Sequence, residues 1–414
     1  MHRFLNAIAM NKYVLGILVT ALIITLAAGT LYVAFQPNQT DYTTQLQTLV
    51  ETKWQEYTTN HTGSNGGLAM QILSPNGDFF VSIGMGDNVT QNIHFRAAST
   101  TKTFTAAAIM LLHQEGQLRI DDLITDNIPG TDKPYVPDSP AYDIPFKDQI
   151  TIRQLLEHRA GVFDVSNTPI PENASAPYAG KSYIDYVKED LAQPEHTFSF
   201  DELVGVVASN QLSDFSPGTR FHYSNTGYSI LAKIIERVSG MSYASFIEQN
   251  LLQTNGLTGT SFPSSGTDQQ LPAPYAEGYV WFDGELYLTT LDNMSPNVAE
   301  GNAISTPENL ARWAKLLYSA HAGIDQEYVD MMIDVKPTGE EHEYYGLGTT
   351  YTEGLGYGHN GAHAGYLTVV RYNPQTGVTV MLFSSVWNFQ DLYSELYCMY
   401  DIGRAATQIM GYNE

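Results

Sequence analysis

Two β-hairpins at opposite ends of the chain constrain its fold most strongly. Short apolar runs at 68–73 and 79–83 flank Ser-Pro-Asn-Gly-Asp, and runs at 366–372 and 378–384 flank Asn-Pro-Gln-Thr-Gly. Both linkers are strong turn sequences. Helical apolar patterns occur at 43–58, 103–115, 226–239, 242–250, 307–319 and 391–410. Strands near both ends with helices between them predict an α/β (α+β) fold, with one sheet layer and an inserted helical lobe.

The N-terminal segment has a different character. Val14 to Phe35 is almost continuously apolar, and no charged residue occurs between Lys12 and Asp41. At about 1.5 Å rise per residue, such a helix would span the roughly 30 Å hydrocarbon layer of a membrane. A cleaved signal peptide, ending near 27–29, and a buried core helix are the alternatives.

The charge pattern around this segment predicts its orientation. Arg3 and Lys12 precede the apolar run, and an acidic chain follows it, so the N-terminus is expected on the cytoplasmic side. The expected organisation is a cytoplasmic N-terminus at 1–13, a transmembrane anchor at 14–35, a linker at 36–41 and a globular domain at 42–414. We therefore expect a single-pass protein of the cell membrane whose domain is extracytoplasmic.

The overall charge excludes one class of partner. Acidic residues outnumber basic residues 44 to 20, and the formal net charge is -24. Such a surface repels phosphate backbones, which argues against nucleic-acid binding. The single cysteine, Cys398, allows no intrachain disulfide.

Ser99 and Lys102 are the sharpest candidates for chemistry. They lie in the run Arg-Ala-Ala-Ser-Thr-Thr-Lys at 96–102. If a helix begins here, Ser99 occupies its first turn and Lys102 follows one turn later on the same face. The helix dipole would then favour an alkoxide on Ser99, and burial could lower the pKa of Lys102 enough for it to accept the serine proton. Ser-x-x-Lys alone is a weak signal, because a helix cap followed by a solvated lysine has the same pattern.

Two further segments strengthen the prediction. Tyr223 and Asn225 lie just before a long amphipathic helix, where the phenol can relay protons and the amide can bind a substrate carbonyl. Residues 358–366, Gly-His-Asn-Gly-Ala-His-Ala-Gly-Tyr, lead into a strand. Glycines in such a loop let the backbone approach a ligand and free N–H groups to face an oxyanion.

Together the three segments resemble the Ser-x-x-Lys, Tyr-x-Asn and Lys/His-x-Gly elements of the serine β-lactamase and penicillin-binding protein superfamily. The resemblance is to the branch with class C β-lactamases, D-Ala-D-Ala carboxypeptidases and related esterases. It covers about 68–410 and includes the segments 150–161 and 301–307. It implies a β-lactamase/transpeptidase-like fold, with an antiparallel sheet flanked by helices, and catalysis without a cofactor.

The resemblance also implies a role for each matching position. Ser99 would attack a carbonyl and form an acyl-enzyme, while Lys102 and Tyr223 share the proton transfers. Backbone N–H groups of Ser99 and Ala362 would form the oxyanion hole, and Asn225 would hold the amide of the acyl side chain. Water, or an amine in a transpeptidation, would then release the acyl group.

The third motif departs from the usual pattern. His359 replaces the usual lysine and would add positive charge near a substrate carboxylate. Asn360 stands where a hydroxyl residue is usual, and Ala362 follows Gly361 where Ser or Thr is common. These changes weaken the case for tight recognition of a β-lactam or D-Ala-D-Ala. An unperturbed imidazole is mostly neutral above about pH 6.5, so activity on carboxylate substrates is predicted to fall as pH rises through the His359 titration.

The resulting prediction is a membrane-anchored serine hydrolase that cleaves a peptide, amide or ester bond in a small-molecule or peptide substrate. D-Ala-D-Ala carboxypeptidase activity ranks first, and an esterase, an amidase or a β-lactamase of the same fold follows. A membrane-tethered penicillin-binding sensor without turnover is the alternative from another class. No metal is expected, because the pair His359 and His363 has no third ligand nearby in the sequence. Residues 132–148 and 168–197 lack periodicity and are expected at the surface, as walls over a cleft; the oligomeric state is left open.

Overall fold

The computed structural model describes residues 39–61, 66–87, 89–340, 342–389 and 391–412. The predicted N-terminus at 1–13 and the predicted anchor at 14–35 lie outside these residues. Among the described helices, none combines the length and the apolar character that crossing a bilayer requires. The contacts of the chain divide it at Leu46, and the active site described below lies in the second unit, 47–414.

Helices dominate the middle of the described chain, and most strands lie towards its ends. The helices are α1 Gln39–Asn60, α2 Thr101–Gln114, α3 Ile152–Leu156, α4 Tyr183–Asp185, α5 Phe200–Asn210, α6 Asn225–Ser239, α7 Tyr243–Ile247, α8 Gln253–Asn255, α9 Pro307–Tyr318, α10 Gln326–Ile333 and α11 Leu392–Ile409. The strands are β1 Leu68–Ser74, β2 Gly77–Ile83, β3 Phe95–Arg96, β4 Tyr279–Phe282, β5 Glu285–Leu288, β6 Ile304–Ser305, β7 Lys336–Pro337, β8 Tyr344–Tyr345, β9 Thr350–Thr352, β10 Gly356–His363, β11 Tyr366–Asn373, β12 Val378–Ser384 and β13 Val386–Asn388.

One antiparallel sheet forms the frame of the molecule. Within the described ranges it has eight strands in the order β2-β1-β12-β11-β10-β9-β8-β7. The hairpins β1–β2 and β11–β12 are the two that the turn sequences predict, and β1 pairs with β12 from Leu68↔Ser384 to Leu73↔Thr379. The two ends of the domain therefore meet in the sheet. Every residue of β1, β11 and β12 is buried, as expected of strands covered on both faces.

The predicted helical lobe packs beside this sheet. Helix α2 packs against α6 and α7, and α6 also contacts α3 and α5. Helix α6 ends at Gly240, whose φ of 72° lies in the left-handed region that a C-terminal glycine adopts readily. Helices α9 and α11 pack on β11 and β12 instead. The α+β architecture predicted from the sequence is confirmed.

Two local predictions need correction, and one hairpin lies outside the predicted set. Part of the expected linker is helical, because α1 begins at Gln39 with Asp41 in its first turn, where a negative charge is favourable. Residues 132–148 and 168–197 are largely irregular, apart from short helical segments such as α4, but they are not only surface walls, since Tyr142 and Ile170 are buried. The hairpin β4–β5 escaped prediction although its Asp-Gly turn at 283–284, with both φ values positive, is a typical hairpin signal.

Candidate active site

Ser99 lies where β3 leads into α2. Residues Ala98 to Thr100 form a 3₁₀ turn that continues directly as α2. Ala98 has a φ of 49°, a conformation that is costly for a residue with a Cβ and persists only where its surroundings impose it. The Ala97 N–H donates to the Ala303 carbonyl over 2.8 Å, and the Ala303 N–H donates to Thr101 Oγ1 over 3.0 Å. These bonds hold the turn, so Ser99 stands just before the helix that carries Lys102.

Lys102 is fully buried, and its amine has four oxygen neighbours. Nζ donates to Asn225 Oδ1 over 2.7 Å and to the Glu300 carbonyl over 2.8 Å. It lies 3.3 Å from Ser99 Oγ and 3.4 Å from Glu300 Oε2. Burial lowers the pKa of Lys102 to about 8, although the charge of Glu300 opposes this shift. At pH 7 about a tenth of the amine is therefore unprotonated and can accept a proton from Ser99.

The Tyr223 ring covers the same amine. Lys102 Nζ lies 4.6 Å from the centroid of this ring. Burial raises the pKa of the Tyr223 phenol well above its ordinary value, and a hydrogen bond with Ser99 opposes that shift. The phenol therefore stays neutral at physiological pH. It can donate a hydrogen bond or a proton at Ser99, but it is not available as a phenolate base.

Asn225 connects Lys102 to the neighbouring loop. Ser224 caps α6 by accepting the Gly227 N–H, which places Asn225 at the first position of the helix. Asn225 Oδ1 accepts from Lys102, and Nδ2 donates to Ser166 Oγ over 3.0 Å. The amide therefore orients the Lys102 amine in this structure. Its contact with a substrate amide stays a prediction.

Residues 358–363 of the third predicted motif lie inside strand β10, and residues 364–365 form the turn into β11. The strand pairs with β11 from Tyr357↔Tyr372 to His363↔Tyr366. Gly361 faces the Ser99 turn, because a Cβ at this position would lie 2.3 Å from the Ala97 carbonyl oxygen. Glycine therefore permits the close approach of β10 to the nucleophile. This approach agrees with the predicted use of backbone N–H groups from both segments.

Asn360 and Ala362 lie on the other face of β10, because side chains alternate along a strand. Asn360 Oδ1 accepts from Arg371 Nη2 over 2.7 Å, and Asn360 Nδ2 donates to the Tyr400 hydroxyl. The predicted substrate contact requires the Asn360 side chain to lie near Ser99, and the structure does not place it there. The Ala362 side chain is exposed, so only its backbone N–H can serve the site.

His359 is buried in a chain of hydrogen bonds with Tyr345 and His158. The Ser224 N–H donates to His158 Nδ1 over 3.1 Å, so His158 carries its proton on Nε2 and donates to the Tyr345 hydroxyl over 3.1 Å. His359 Nδ1 lies 2.5 Å from the Asn360 carbonyl and must donate to it. In the neutral form that burial favours, His359 Nε2 accepts from the Tyr345 hydroxyl over 2.8 Å. Both imidazoles are neutral in this arrangement.

The prediction that His359 adds positive charge is therefore wrong. Burial, helped by the nearby charge of Lys102, lowers the pKa of His359 to about 3. The imidazole is neutral across the physiological range, and it does not titrate between pH 6 and 8. The expected fall of activity on carboxylate substrates through a His359 titration has no basis in the structure.

The other histidine of this segment has a separate set of partners. His363 Nε2 lies 2.9 Å from Asp292 Oδ2, and Lys188 Nζ lies 3.1 Å from Asp292 Oδ1. Burial alone would raise the pKa of Asp292, but its contacts with His363 and Lys188 hold this pKa well below its ordinary value. Among the described residues, no group of three His, Cys, Asp or Glu side chains is arranged to hold a metal ion.

Sequence reasoning missed three side chains at this site: Glu300, His158 and Tyr345. Glu300 directly precedes the segment 301–307, and His158 lies inside the segment 150–161. The resemblance included both segments but assigned no role to either residue. Tyr345 belongs to the two-residue strand β8 and had no recognisable signal in the sequence.

Comparison with known proteins agrees with this geometry. The family model described as Beta-lactamase matches residues 76–395. Penicillin-binding protein 4* of Bacillus subtilis (strain 168) is 27% identical over 347 residues, which are 79% of this chain and 68% of that protein. Penicillin-binding protein 4 of Amycolatopsis lactamdurans is 26% identical over 76% of this chain and 78% of its own length. Protein flp of Staphylococcus aureus (strain NCTC 8325 / PS 47) is 28% identical over 53% of this chain, which spans only 38% of that protein.

Solved structures with the same fold include two enzymes. The D-stereospecific amidohydrolase from Streptomyces sp. has a TM-score of 0.71 at 21% identity, over 86% of this chain and 97% of its own. The D-amino acid amidase from Ochrobactrum anthropi SV3, complexed with D-phenylalanine, has a TM-score of 0.70 at 21% identity, over 89% and 100% of the two chains. At this identity the likeness shows the fold alone. Taken together, the family match, these relatives and the fold identify a serine hydrolase. The chain belongs to the beta-lactamase family, within the superfamily of serine β-lactamases and penicillin-binding proteins.

Proposed function

We propose that this hydrolase cleaves amide or ester bonds by acylation of Ser99, and that its leaving group carries no carboxylate. The observation that carries the proposal is that Ser99 has a base beside it but no cation at the third motif. Lys102 supplies a base 3.3 Å from Ser99 Oγ, whereas the position of the usual cationic third motif holds the neutral His359. Two proteins of the same fold are described as an amidohydrolase and an amidase, which supports an amide as the scissile group.

The proposed reaction begins with the attack of Ser99 Oγ on the substrate carbonyl, while its proton passes to Lys102 Nζ. Negative charge develops on the carbonyl oxygen, where the backbone N–H groups of Ser99 and Ala362 would stabilise it. The neutral Tyr223 phenol then donates a proton to the leaving group, and Lys102 restores that proton. Water repeats the sequence on the acyl-enzyme and releases Ser99.

The charge of the site favours substrates without a carboxylate on the leaving group. A D-Ala-D-Ala peptide presents such a carboxylate, and recognition of this group needs a cation or several donors nearby. His359 is neutral and the Asn360 side chain is bound to Arg371. An amidase or esterase is therefore favoured over the D-Ala-D-Ala carboxypeptidase that the sequence ranked first.

Covalent labelling and a matched substrate pair test the proposal. Intact mass after treatment with a fluorophosphonate should show an adduct on the wild-type protein and none on Ser99→Ala, and a penicillin, which carries a carboxylate on the leaving-group side, should label Ser99 more slowly. We also expect an N-acyl-D-alanine amide, whose leaving group is ammonia, to be hydrolysed about tenfold faster than the matching N-acyl-D-alanyl-D-alanine, whose leaving group carries a carboxylate. A faster reaction on the carboxylate-bearing substrate would remove the charge argument. Stoichiometric labelling without turnover of either substrate would favour the sensor alternative.

We also propose that the apolar run at 14–35 anchors this hydrolase in the cell membrane, with residues 42–414 outside. The proposal rests on the length of the run and on the position of Arg3 and Lys12 before it. The full chain should fractionate with membranes after a carbonate wash, and a chain starting at residue 39 should not. Protease added to intact cells should degrade the domain. Recovery of the full chain in the soluble fraction would contradict the proposal.

A further inference from the structure

Glu300 is a buried carboxylate at the base of the active site, and the resemblance assigned it no role. Only 2% of its surface is exposed. It lies in a tight turn after Ala299, whose φ of 73° is unusual for a residue with a Cβ. Thr105 Oγ1 donates to the Ala299 carbonyl over 2.6 Å, and the Ala299 N–H donates to Asn302 Oδ1 over 3.1 Å. Helix α2 thus holds this turn one helical turn beyond Lys102.

Both polar ends of Glu300 are directed at defined partners. Its carbonyl accepts from Lys102 Nζ over 2.8 Å, and Oε2 lies 3.4 Å from the same nitrogen. Asn297 Nδ2 donates to Oε1 over 2.6 Å, which fixes the orientation of the carboxylate. Glu300 therefore contacts the Lys102 amine with both its backbone carbonyl and its side chain.

The geometry around the amine distinguishes its hydrogens. An ammonium has three donors, and the two short contacts to Asn225 Oδ1 and to the Glu300 carbonyl use two of them. Ser99 Oγ and Glu300 Oε2, at 3.3 and 3.4 Å, share the third direction. When the amine loses that third proton, its lone pair faces Ser99. The carboxylate stabilises the protonated amine and thereby opposes this loss.

We propose that Glu300 is the positioning residue of Lys102: it fixes the amine beside Ser99 and sets the pH at which that amine becomes a base. This inference rests on the proposed role of Lys102. Without the carboxylate, the buried amine would lose its proton at a lower pH, but it would then be a weaker base for the serine proton.

The other groups around Lys102 do not substitute for Glu300. Tyr223 and Tyr228 present ring faces, at 4.6 and 5.3 Å from Nζ to the centroids. His158 and His359 are neutral, because each accepts a hydrogen bond at one ring nitrogen. Asp164, the remaining acidic neighbour, uses its carboxylate on Ser166 and Asn167. Burial raises the pKa of Glu300 above its ordinary range, and the charge of Lys102 opposes that shift. Glu300 and Lys102 therefore titrate in overlapping pH ranges.

The test is the pH dependence of the second-order rate at which a fluorophosphonate modifies Ser99. In Glu300→Gln, the rising limb of this profile should move to lower pH by about one unit, because an opposite charge within about 4–6 Å contributes one to three pH units. The plateau rate should fall about tenfold. Glu300→Asp keeps the charge and should leave the limb within about half a unit of its wild-type position. Glu157→Gln is the matched control, since this buried carboxylate pairs with Lys336 at 2.7 Å and does not contact Lys102.

An unmoved limb in Glu300→Gln, with a rate reduced equally at every pH, would overturn the inference and leave Glu300 a structural residue. If Glu300→Gln does not fold, Asn297→Ala provides the second variant. This variant leaves Lys102 intact and removes the hydrogen bond that keeps the Glu300 carboxylate ionised. The rising limb should therefore move to lower pH by a smaller amount than in Glu300→Gln. A limb that does not move would overturn the inference. Absence of any Ser99 adduct on the wild-type protein would instead refute the proposed function.

Discussion

Replacement of Lys102 by glutamine is expected to slow the modification of Ser99 by a fluorophosphonate about 10³-fold, the scale of losing a positioned general base. Within the described residues, Lys102 Nζ is the basic nitrogen that lies within reach of Ser99 Oγ, at 3.3 Å. The Tyr223 phenol does not replace it, because burial raises its pKa. Glutamine retains N–H donors for Asn225 Oδ1 and the Glu300 carbonyl, which limits damage to the fold.

The wild-type pH profile provides an independent check of the same role. Only the neutral amine accepts a proton, and the pKa of Lys102 is lowered to about 8. The rate should therefore rise about tenfold per pH unit below this value and level off above it. Lys315→Gln, an exposed lysine on α9, is the matched control and should react at the wild-type rate. A profile that is flat from pH 5.5 to 8.5, or a Lys102→Gln variant within threefold of wild type, would remove Lys102 as the base.

The parts of this site that are predictable from the sequence are those with a local pattern. Ser99 and Lys102 belong to one helix start, and Tyr223 belongs to the loop before an amphipathic helix, so residue spacing alone suggests where each would lie. Hairpin turns and helix caps fix the surrounding elements in the same local way. The resemblance then brings the separate segments together.

The unpredicted parts depend on tertiary burial. His359 stands where a cation is expected, yet burial and the nearby charge of Lys102 keep it neutral, and short-range sequence patterns reveal neither of these effects. Glu300 likewise acquires its role only when its turn packs against α2. Side-chain alternation along β10 directs Asn360 away from the site, an orientation that a loop at this position would not impose.

Gly361→Ala is expected to reduce the rate of Ser99 modification about 10²-fold, through a steric clash. The added Cβ would lie 2.3 Å from the Ala97 carbonyl oxygen and 3.0 Å from the Ala98 Cβ. Ala97 cannot move easily, because its carbonyl accepts from Thr100 Oγ1 over 2.8 Å and from the Thr100 N–H over 3.3 Å. Strand β10 must therefore shift away from the Ser99 turn. A displacement of about 1 Å in an active site costs on the order of 10²-fold in rate, and overpacking costs about 1–3 kcal/mol of stability.

The measurement that tests this prediction combines the fluorophosphonate rate with thermal unfolding of each variant. Gly205→Ala is the matched control, because its Cβ on helix α5 would meet the Ala141 Cβ at an ordinary 3.6 Å; its rate should stay within twofold of wild type. Penicillin labelling should fall in parallel, since both reagents need the same approach of β10 to Ser99. If Gly361→Ala reacts as fast as the wild-type protein while it remains folded, then β10 contributes nothing to stabilising the oxyanion. The backbone N–H of Ala362 would then have to be withdrawn from the proposed oxyanion hole, and the second donor sought on another segment.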